Sequence, residues 1–421
     1  MSASERSSHR PRLVLLGINY PPEVTGIAPY NAMLAEWLVE HGWEVEVVTS
    51  FSYYPAWEKL PEDAGKLYRR DAMNGVTVHR VWDYVPKTVT ALKRVVHEAS
   101  FVVAATLRLF TLRKADVLFV VSPPLPLGVP AALYRFLRGV PTVFHVQDLQ
   151  PDAAFGLGML RTGPLTKLLY RLEAFAYGKA TRVSGISPGM MTALHRKGVP
   201  RAKTLFFPNP VEFPDSAQIP PGGEFRKAHG IPSDAFLVSY SGNLGIKQGL
   251  GQIIKAAALL RHESMVRFVI CGDGVMRRTL EEAISEQGLT NVTVLPLQPL
   301  PDYHALLIDS NFCLVTQQAN SGVAFFPSKL LSIMAFARPV LAVADDASAV
   351  ATLCREEGCG WLVAPDDAAA FAKEILRGKD DCDGLKLMAA RGYAFVARFQ
   401  RRKVLSRIEG ELRSLLSERS H

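Results

Sequence analysis

The chain has 421 residues, 48% of them apolar and 21% charged, which fills two or three domains with buried cores and excludes wholesale disorder. Its 48 lysines and arginines exceed the 40 acidic residues by eight, a balance suited to nucleic acid, an anionic membrane or a phosphate-bearing ligand. The basic residues are dispersed with no zinc-ligand or aromatic RNA-binding pattern, which argues against nucleic acid, and no run of eighteen apolar residues marks a spanning helix.

Met1–Pro11 reads as a polar tail, and Leu13–Ile18 is too short for a signal-peptide core. Strand patterns follow at Arg12–Ile18, Glu44–Thr49, Val76–Val81, Asp116–Val121, Thr142–Val146, Arg182–Ile186 and Thr204–Phe207. Helical patterns at Ala28–His41, Leu92–Leu112, Leu127–Leu137, Leu165–Tyr177 and Gly189–Lys197 fill most gaps between them. Such alternation predicts a parallel sheet with helical crossovers. Pro208–Gly223, with five prolines, reads as a linker. The alternation then restarts at Phe236–Ser241, Arg267–Cys271, Val292–Leu295, Phe312–Thr316, Val340–Val343 and Gly360–Val363, and Leu385–Ser417 reads as helix throughout. The expected architecture is α/β: a Rossmann-like doubly wound lobe over 12–207, a linker over 208–223, a second such lobe over 224–384, and terminal helices over 385–421. The five cysteines form no Cys-x-x-Cys pair, so a reducing cytosol fits better than a disulfide framework or zinc site.

Ligands of open parallel sheets bind at the carboxyl ends of strands. After Ser241 comes Gly242-Asn243-Leu244-Gly245-Ile246-Lys247-Gln248-Gly249, either a tight turn or a phosphate cradle with Lys247 as its charge. Gly272-Asp273-Gly274 opens the next helix, where Asp273 caps it or touches a ligand hydroxyl. Pro327-Ser328-Lys329 starts another; proline suits the first turn and leaves the Ser328 and Lys329 amides for an anion, the alternative being a solvated lysine at a helix start. In the first half, Tyr20–Gly26 holds too few glycines for the dinucleotide fingerprint, and Phe144-His145-Val146-Gln147-Asp148 places His145 and Asp148 near one sheet edge. Asp381-Cys382-Asp383 matches the acidic pattern of metal-dependent sugar transferases, but its polar surroundings read as a solvated loop.

Taken together these segments resemble the retaining GT-B sugar transferases of family 4, and most of all the WcaI-type enzymes of colanic-acid and other exopolysaccharide pathways. The resemblance is carried by Gly17–Ile27, Tyr53-Tyr54-Pro55, Val121-Ser122-Pro123-Pro124, His145-Val146-Gln147-Asp148, Phe206-Phe207-Pro208-Asn209, Tyr240–Gly245 and Pro327-Ser328-Lys329. It implies a nucleotide-diphosphate sugar as donor on the second lobe, and a polyprenyl-diphosphate-linked saccharide as acceptor on the first. Gly26 approaches the donor diphosphate, His145 lies beside the transferred sugar with Asp148 near it, and the last helix crosses back to the first lobe. No metal and no cofactor beyond the donor is expected. The donor set expected from residues and resemblance together is Gly26, Gly242, Asn243, Lys247, Gln248, Asp273, Ser328, Lys329 and Ser332. Departures accompany it: Asn243 and Gln248 stand where the family places arginine and lysine, and Ala324 and Ser332 replace its paired glutamates. A nucleotide-sugar epimerase of similar fold and a non-catalytic nucleotide-sugar-binding protein are the alternatives.

The apolar run Phe101–Leu107, bracketed by Lys93, Arg94, Arg108, Arg113 and Lys114, suits an interfacial helix, the alternative being that Val95–Leu112 packs on its own sheet with its charges in water. A cytoplasmic enzyme held peripherally on the anionic inner face of the cell membrane is therefore expected.

Overall fold

The β-branched and leucine runs become strands of two sheets that are buried on both faces, as parallel strands between helical layers must be. The computed structural model describes residues 10–23, 26–54, 56–88, 90–152, 163–214, 219–319 and 328–418. The chain divides into one unit of residues 1–210 with 402–421, and a second of 211–401.

In the first unit the strands are β1 (Arg12–Leu16), β2 (Glu44–Ser50), β3 (Tyr68–Met73), β4 (Val76–Val81), β5 (Val117–Ser122), β6 (Thr142–Val146), β7 (Arg182–Gly185) and β8 (Thr204–Phe206). They lie in the order β3-β4-β2-β1-β5-β6-β7-β8, all parallel except β3, which runs antiparallel to β4. Helices α1 (Ala28–Glu40), α2 (Ala91–Thr111), α3 (Gly128–Arg138), α4 (Pro164–Lys179) and α5 (Pro188–Arg196) make the crossovers. On one face, Phe101, Ala105 and Leu109 of α2 pack with Leu16, Val48, Val120 and Phe144 of the sheet. The strand β3 has no counterpart among the expected elements. Its sequence Tyr-Arg-Arg-Asp-Ala-Met carries no apolar run, because an edge strand leaves every second side chain in water.

The second unit holds β9 (Phe236–Ser241), β10 (Val266–Cys271), β11 (Val292–Leu295), β12 (Phe312–Thr316), β13 (Val340–Val343) and β14 (Trp361–Val363), in the all-parallel order β11-β10-β9-β12-β13-β14. Its helices are α6 (Glu224–Ala228), α7 (Gly251–Leu259), α8 (Arg277–Glu286), α9 (Leu300–Asp309), α10 (Ser328–Ala335), α11 (Ala349–Glu357), α12 (Ala368–Asp380) and α13 (Cys382–Val396). All five cysteines are free thiols. No helix among the described residues is long and apolar enough to cross a membrane.

The C-terminal segment departs from the single helix expected over Leu385–Ser417. A 3-10 turn at Ala397–Phe399 separates α13 from α14 (Arg401–Ser417). There Val211 donates to the Phe399 carbonyl and accepts from the Arg401 amide, both at 2.9 Å, so backbone pairing replaces helix continuity. Consequently α13 packs on α10 and α11 within the second unit, and only the chain from Arg402 joins the first. There Leu405, Ile408 and Leu412 are fully buried, and Trp37 Nε1 donates to Glu409 Oε2 at 3.0 Å.

Removing a fully buried isoleucine forfeits its transfer energy and leaves a cavity. Ile408→Ala should lower the stability of the first unit by about 2–4 kcal/mol, read from its denaturant transition. A loss below about 1 kcal/mol would mean that α14 is not part of that unit's core.

Candidate active site

The winding of each sheet reverses beside its first strand, between β1 and β5 in one unit and between β9 and β12 in the other. Those reversals open a crevice at the carboxyl edge, where ligands of such sheets bind.

In the second unit, β9 runs into Gly242 at φ 143°, a backbone conformation that favours glycine. Beside it β10 runs into Gly272, where a Cβ would stand 1.9 Å from the Gly242 carbonyl oxygen. A Cβ on Gly274 would stand 2.6 Å from the Leu244 oxygen. The Gly242 amide donates to Cys271 O and the Leu244 amide to Asp273 O, so two glycine turns are laced edge to edge. The missing Cβ of Gly242 leaves space for Lys329, whose Nζ lies 2.8 Å from the position that Cβ would take.

Lys329 is the second residue of α10 and holds its ammonium 3.8 Å over the ring centroid of Tyr240, which is fully buried. The tyrosine hydroxyl donates to Asn243 O at 2.8 Å, which fixes the ring as a platform. No carboxylate among the described residues pairs with Lys329, and burial lowers its pKa to about 7. A cation held out of water at a helix start, with no counter-ion among the described residues, is arranged to receive an anion.

The remaining expected residues divide around this point. Asn243 is exposed beside Gly245 and Gly274, whereas Lys247 stands in solvent on a 3-10 turn and lends only its carbonyl, to the Gln318 amide. Gln248 is partly buried, and its Oε1 lacks a partner among the described residues, an acceptor that suits a ligand hydroxyl. Asp273 does not cap α8: that helix begins after Met276 with no side-chain cap, and the Asp273 carboxylate accepts from the Gly274 amide instead. Ser328 is the first residue of α10 and Ser332 lies one turn further, partly exposed. Pro327 and Ala324 lie outside the described residues. Asp381 is no solvated loop residue, since its carboxylate accepts from Gly384 N and caps α13.

In the first unit the turn after β1 is held from three sides. Arg80, buried in β4, donates to the Pro21 carbonyl, and Asn31 of α1 donates to Asn19 O at 2.9 Å. Glu23, also buried, accepts from the Tyr53 and Tyr54 amides, each at 3.0 Å, and from Asn19 Nδ2 at 2.8 Å. Burial raises its pKa even against those three donors. The clamp brings Gly26, at φ 67°, within van der Waals reach of the Tyr54 ring and just ahead of the α1 amides. Val24, Thr25 and Pro55 lie outside the described residues.

His145 differs from the expectation of a group facing a sugar. It is 3% exposed, between the rings of Phe119 and Phe207, with Gln147 Nε2 donating to its Nε2 at 2.9 Å. The proton therefore resides on Nδ1, which donates to Ser184 Oγ at 2.8 Å. Neither ring nitrogen is open to a ligand, and burial lowers the pKa to about 3, so the imidazole is neutral. Gln147 continues the chain of bonds to Asn209 Oδ1 at 2.8 Å. Asp148 follows, exposed, at the end of that strand. The second unit thus gathers Gly242, Asn243 and Lys329 at one edge with Tyr240 as support, and the first unit, by itself, holds its own loops with Glu23, Gln147 and Asn209; sequence reasoning gave these four supports no role.

Two family descriptions match the chain: Glycosyl transferase 4-like domain over residues 25–210 and Glycosyl transferases group 1 over residues 223–393. The chain is 34% identical over 372 residues to the putative colanic acid biosynthesis glycosyl transferase WcaI of Escherichia coli K12, covering 86% of this chain and 91% of that one. It is 26% identical over 274 residues to the probable glycosyltransferase WbjE of Pseudomonas aeruginosa, 62% and 66% of the two chains. Sucrose-phosphate synthase from Thermosynechococcus elongatus shares the fold with a TM-score of 0.74 at 18% identity, over 97% of this chain and 100% of that one. HepE from Anabaena, solved with UDP, does so at 0.68 and 17%, over 96% and 100%.

Lys329→Ala should weaken nucleoside-diphosphate binding by about ten- to hundredfold, since hydrogen bonds to charged groups contribute about 1.5–3 kcal/mol, and Lys247→Ala far less. A bound anion stabilises the ammonium, so binding should take up a proton above pH 7 and weaken as pH rises through about 7. Calorimetry in two buffers of different ionisation enthalpy reads both effects; no proton uptake by the parent would remove the charge from the site.

For His145→Ala, turnover should fall at least about tenfold, with nucleoside-diphosphate affinity nearly unchanged, the signature of an effect on the transition state. The parent's rate should show no His145 titration between about pH 5 and 8, because its proton is lost well below that window.

Proposed function

Since the chain belongs to the GT-B glycosyltransferases of polysaccharide biosynthesis, alongside the colanic-acid enzyme WcaI, we propose that it transfers a hexose from a nucleotide-diphosphate sugar to a polyprenyl-diphosphate-linked saccharide. The observation that carries this reading is the Lys329 ammonium over Tyr240, unpaired by any described carboxylate at the carboxyl edge of β9. As the glycosidic bond breaks, negative charge grows on the leaving diphosphate. A preorganised ammonium and the amides at the start of α10 stabilise that charge where it develops. UDP in the related HepE structure supports a nucleotide donor here.

The transfer proceeds with retention and without a metal ion, the leaving phosphate helping to take the acceptor proton on the face it leaves. Gln248 Oε1 accepts a donor hydroxyl beside the diphosphate. His145 acts through Gln147 and Asn209 as a positioning residue. The enzyme works in the cytoplasm on the inner face of the membrane, where a lipid-linked acceptor resides.

Turnover with a lipid-linked saccharide should survive saturating chelator, and nuclear magnetic resonance of the product should find the donor's anomeric configuration. Activity lost to chelator and restored by magnesium, or an inverted product, would overturn the mechanism. Consumption of donor to an epimer without acceptor would replace the transferase reading altogether.

A further inference from the structure

Three neighbouring helices of the first unit carry apolar residues on the side that the fold does not use. On α2 the buried stripe is His97, Phe101, Ala105 and Leu109, four residues apart, as packing on the sheet requires. A second stripe, Leu92, Val96, Ala99, Val103 and Leu107, recurs at the same helical spacing and is exposed. The helix α3 repeats the pattern with Val129, Leu133, Phe136 and Leu137; Phe136 is 84% exposed. On α4 the outward residues are Leu165, Leu168 and Phe175. These helices form one layer, since Arg138 of α3 donates to the Phe110 carbonyl of α2 and Arg135 to the Lys179 carbonyl of α4.

Charge on this layer is one-sided. Its exposed cations include Arg94, Arg135, Lys167, Arg171 and Lys179. Only two carboxylates lie on the three helices: Glu98, paired with Arg94, and Glu173, buried against Lys197. A second copy of the same face would bring cation against cation, so self-association is opposed. We propose that the outer face of α2, α3 and α4 docks on an anionic lipid bilayer, with Phe136 and Leu137 entering the acyl boundary and the basic residues meeting the headgroups. This deepens the reading of a lipid-linked acceptor, and corrects the earlier choice of Phe101–Leu107 as the contact, because Phe101 and Ala105 are core.

The test uses the full chain and vesicles without acceptor, so its failure leaves the transfer reaction untouched. The parent should co-sediment with phosphatidylglycerol-rich vesicles at low salt, and partition should drop at least about fivefold in 0.5 M salt or on phosphatidylcholine alone. Phe136→Ser with Leu137→Ser should weaken partition at least about tenfold. That variant should keep the parent's melting temperature and nucleoside-diphosphate affinity, since both side chains already face outward. Lys167→Glu with Arg171→Glu should remove the preference for anionic lipid. In Phe136→Trp, tryptophan fluorescence should be quenched by brominated lipid. A parent that ignores anionic vesicles at low salt, or a double serine variant that partitions like the parent, overturns the proposal. Equally, a concentration-dependent dimer abolished by the serine changes would assign the face to a second copy.

Discussion

The two glycine turns after β9 and β10 approach each other too closely for a side chain at Gly272 or Gly274, and the proposed anion site depends on it. With any side chain at Gly272 the Gly242 carbonyl would have to move, and with one at Gly242 the Lys329 ammonium would lose its place. Bare backbone at these positions lets β9 and β10 end side by side with their amides paired, while α10 delivers a lysine into the gap. Tyr240 completes the arrangement from below, its ring buried and its hydroxyl spent on Asn243 O, so that only the aromatic face meets the ammonium. The geometry is thus steric first and electrostatic second.

The first unit solves a related problem by different means. Its turn after β1 has to pass near β5, and Gly17 allows this with a Cβ position only 3.3 Å from Val121 Cβ. Beyond that point a buried carboxylate rather than glycine backbone sets the shape. Glu23 accepts three N–H groups from two separate loops, so the conformation of Tyr53 and Tyr54 is tied to that of the turn bearing Gly26. Removing the carboxylate would leave those buried amides unsatisfied, a cost of about 1–3 kcal/mol for each. His145, Gln147 and Asn209 perform the same kind of tie from β6 to the end of the unit.

Most of the fold was legible in the sequence because parallel strands buried on both faces are short, continuous apolar runs. Val76–Val81, Thr142–Val146, Phe236–Ser241 and Phe312–Thr316 fall within the residues that periodicity marks. What escaped lacks that signal. β3 is a polar edge, and the break at Gln400 comes from a long-range pairing with Val211 that no local pattern announces. Backbone chemistry marks Gly242 in the sequence and a helix start marks Lys329, and the fold brings the two together. Tyr240 and Glu23 were not, since a tyrosine ending an apolar strand and a glutamate after two prolines look ordinary until the fold shows what they touch. Asp273 does not cap its helix and His145 does not face outward for the same reason: a single adjacent amide, or neighbours distant in sequence, decide where a polar group spends its hydrogen bonds.

Features that a fold does not need are the ones that point to work. A stable second unit requires neither an ammonium without a counter-ion among the described residues nor a buried Gln248 oxygen without a partner among them; each costs free energy in the isolated chain. Likewise the first unit requires one apolar stripe on α2, to cover the sheet, and has two. Each surplus has the chemistry of what would relieve it: an anion for the ammonium, a hydroxyl for the amide oxygen, hydrocarbon edged by anionic headgroups for the outward stripes. The same test separates His145 from Lys329. The histidine has a partner at both nitrogens, whereas the lysine has no counter-ion among the described residues.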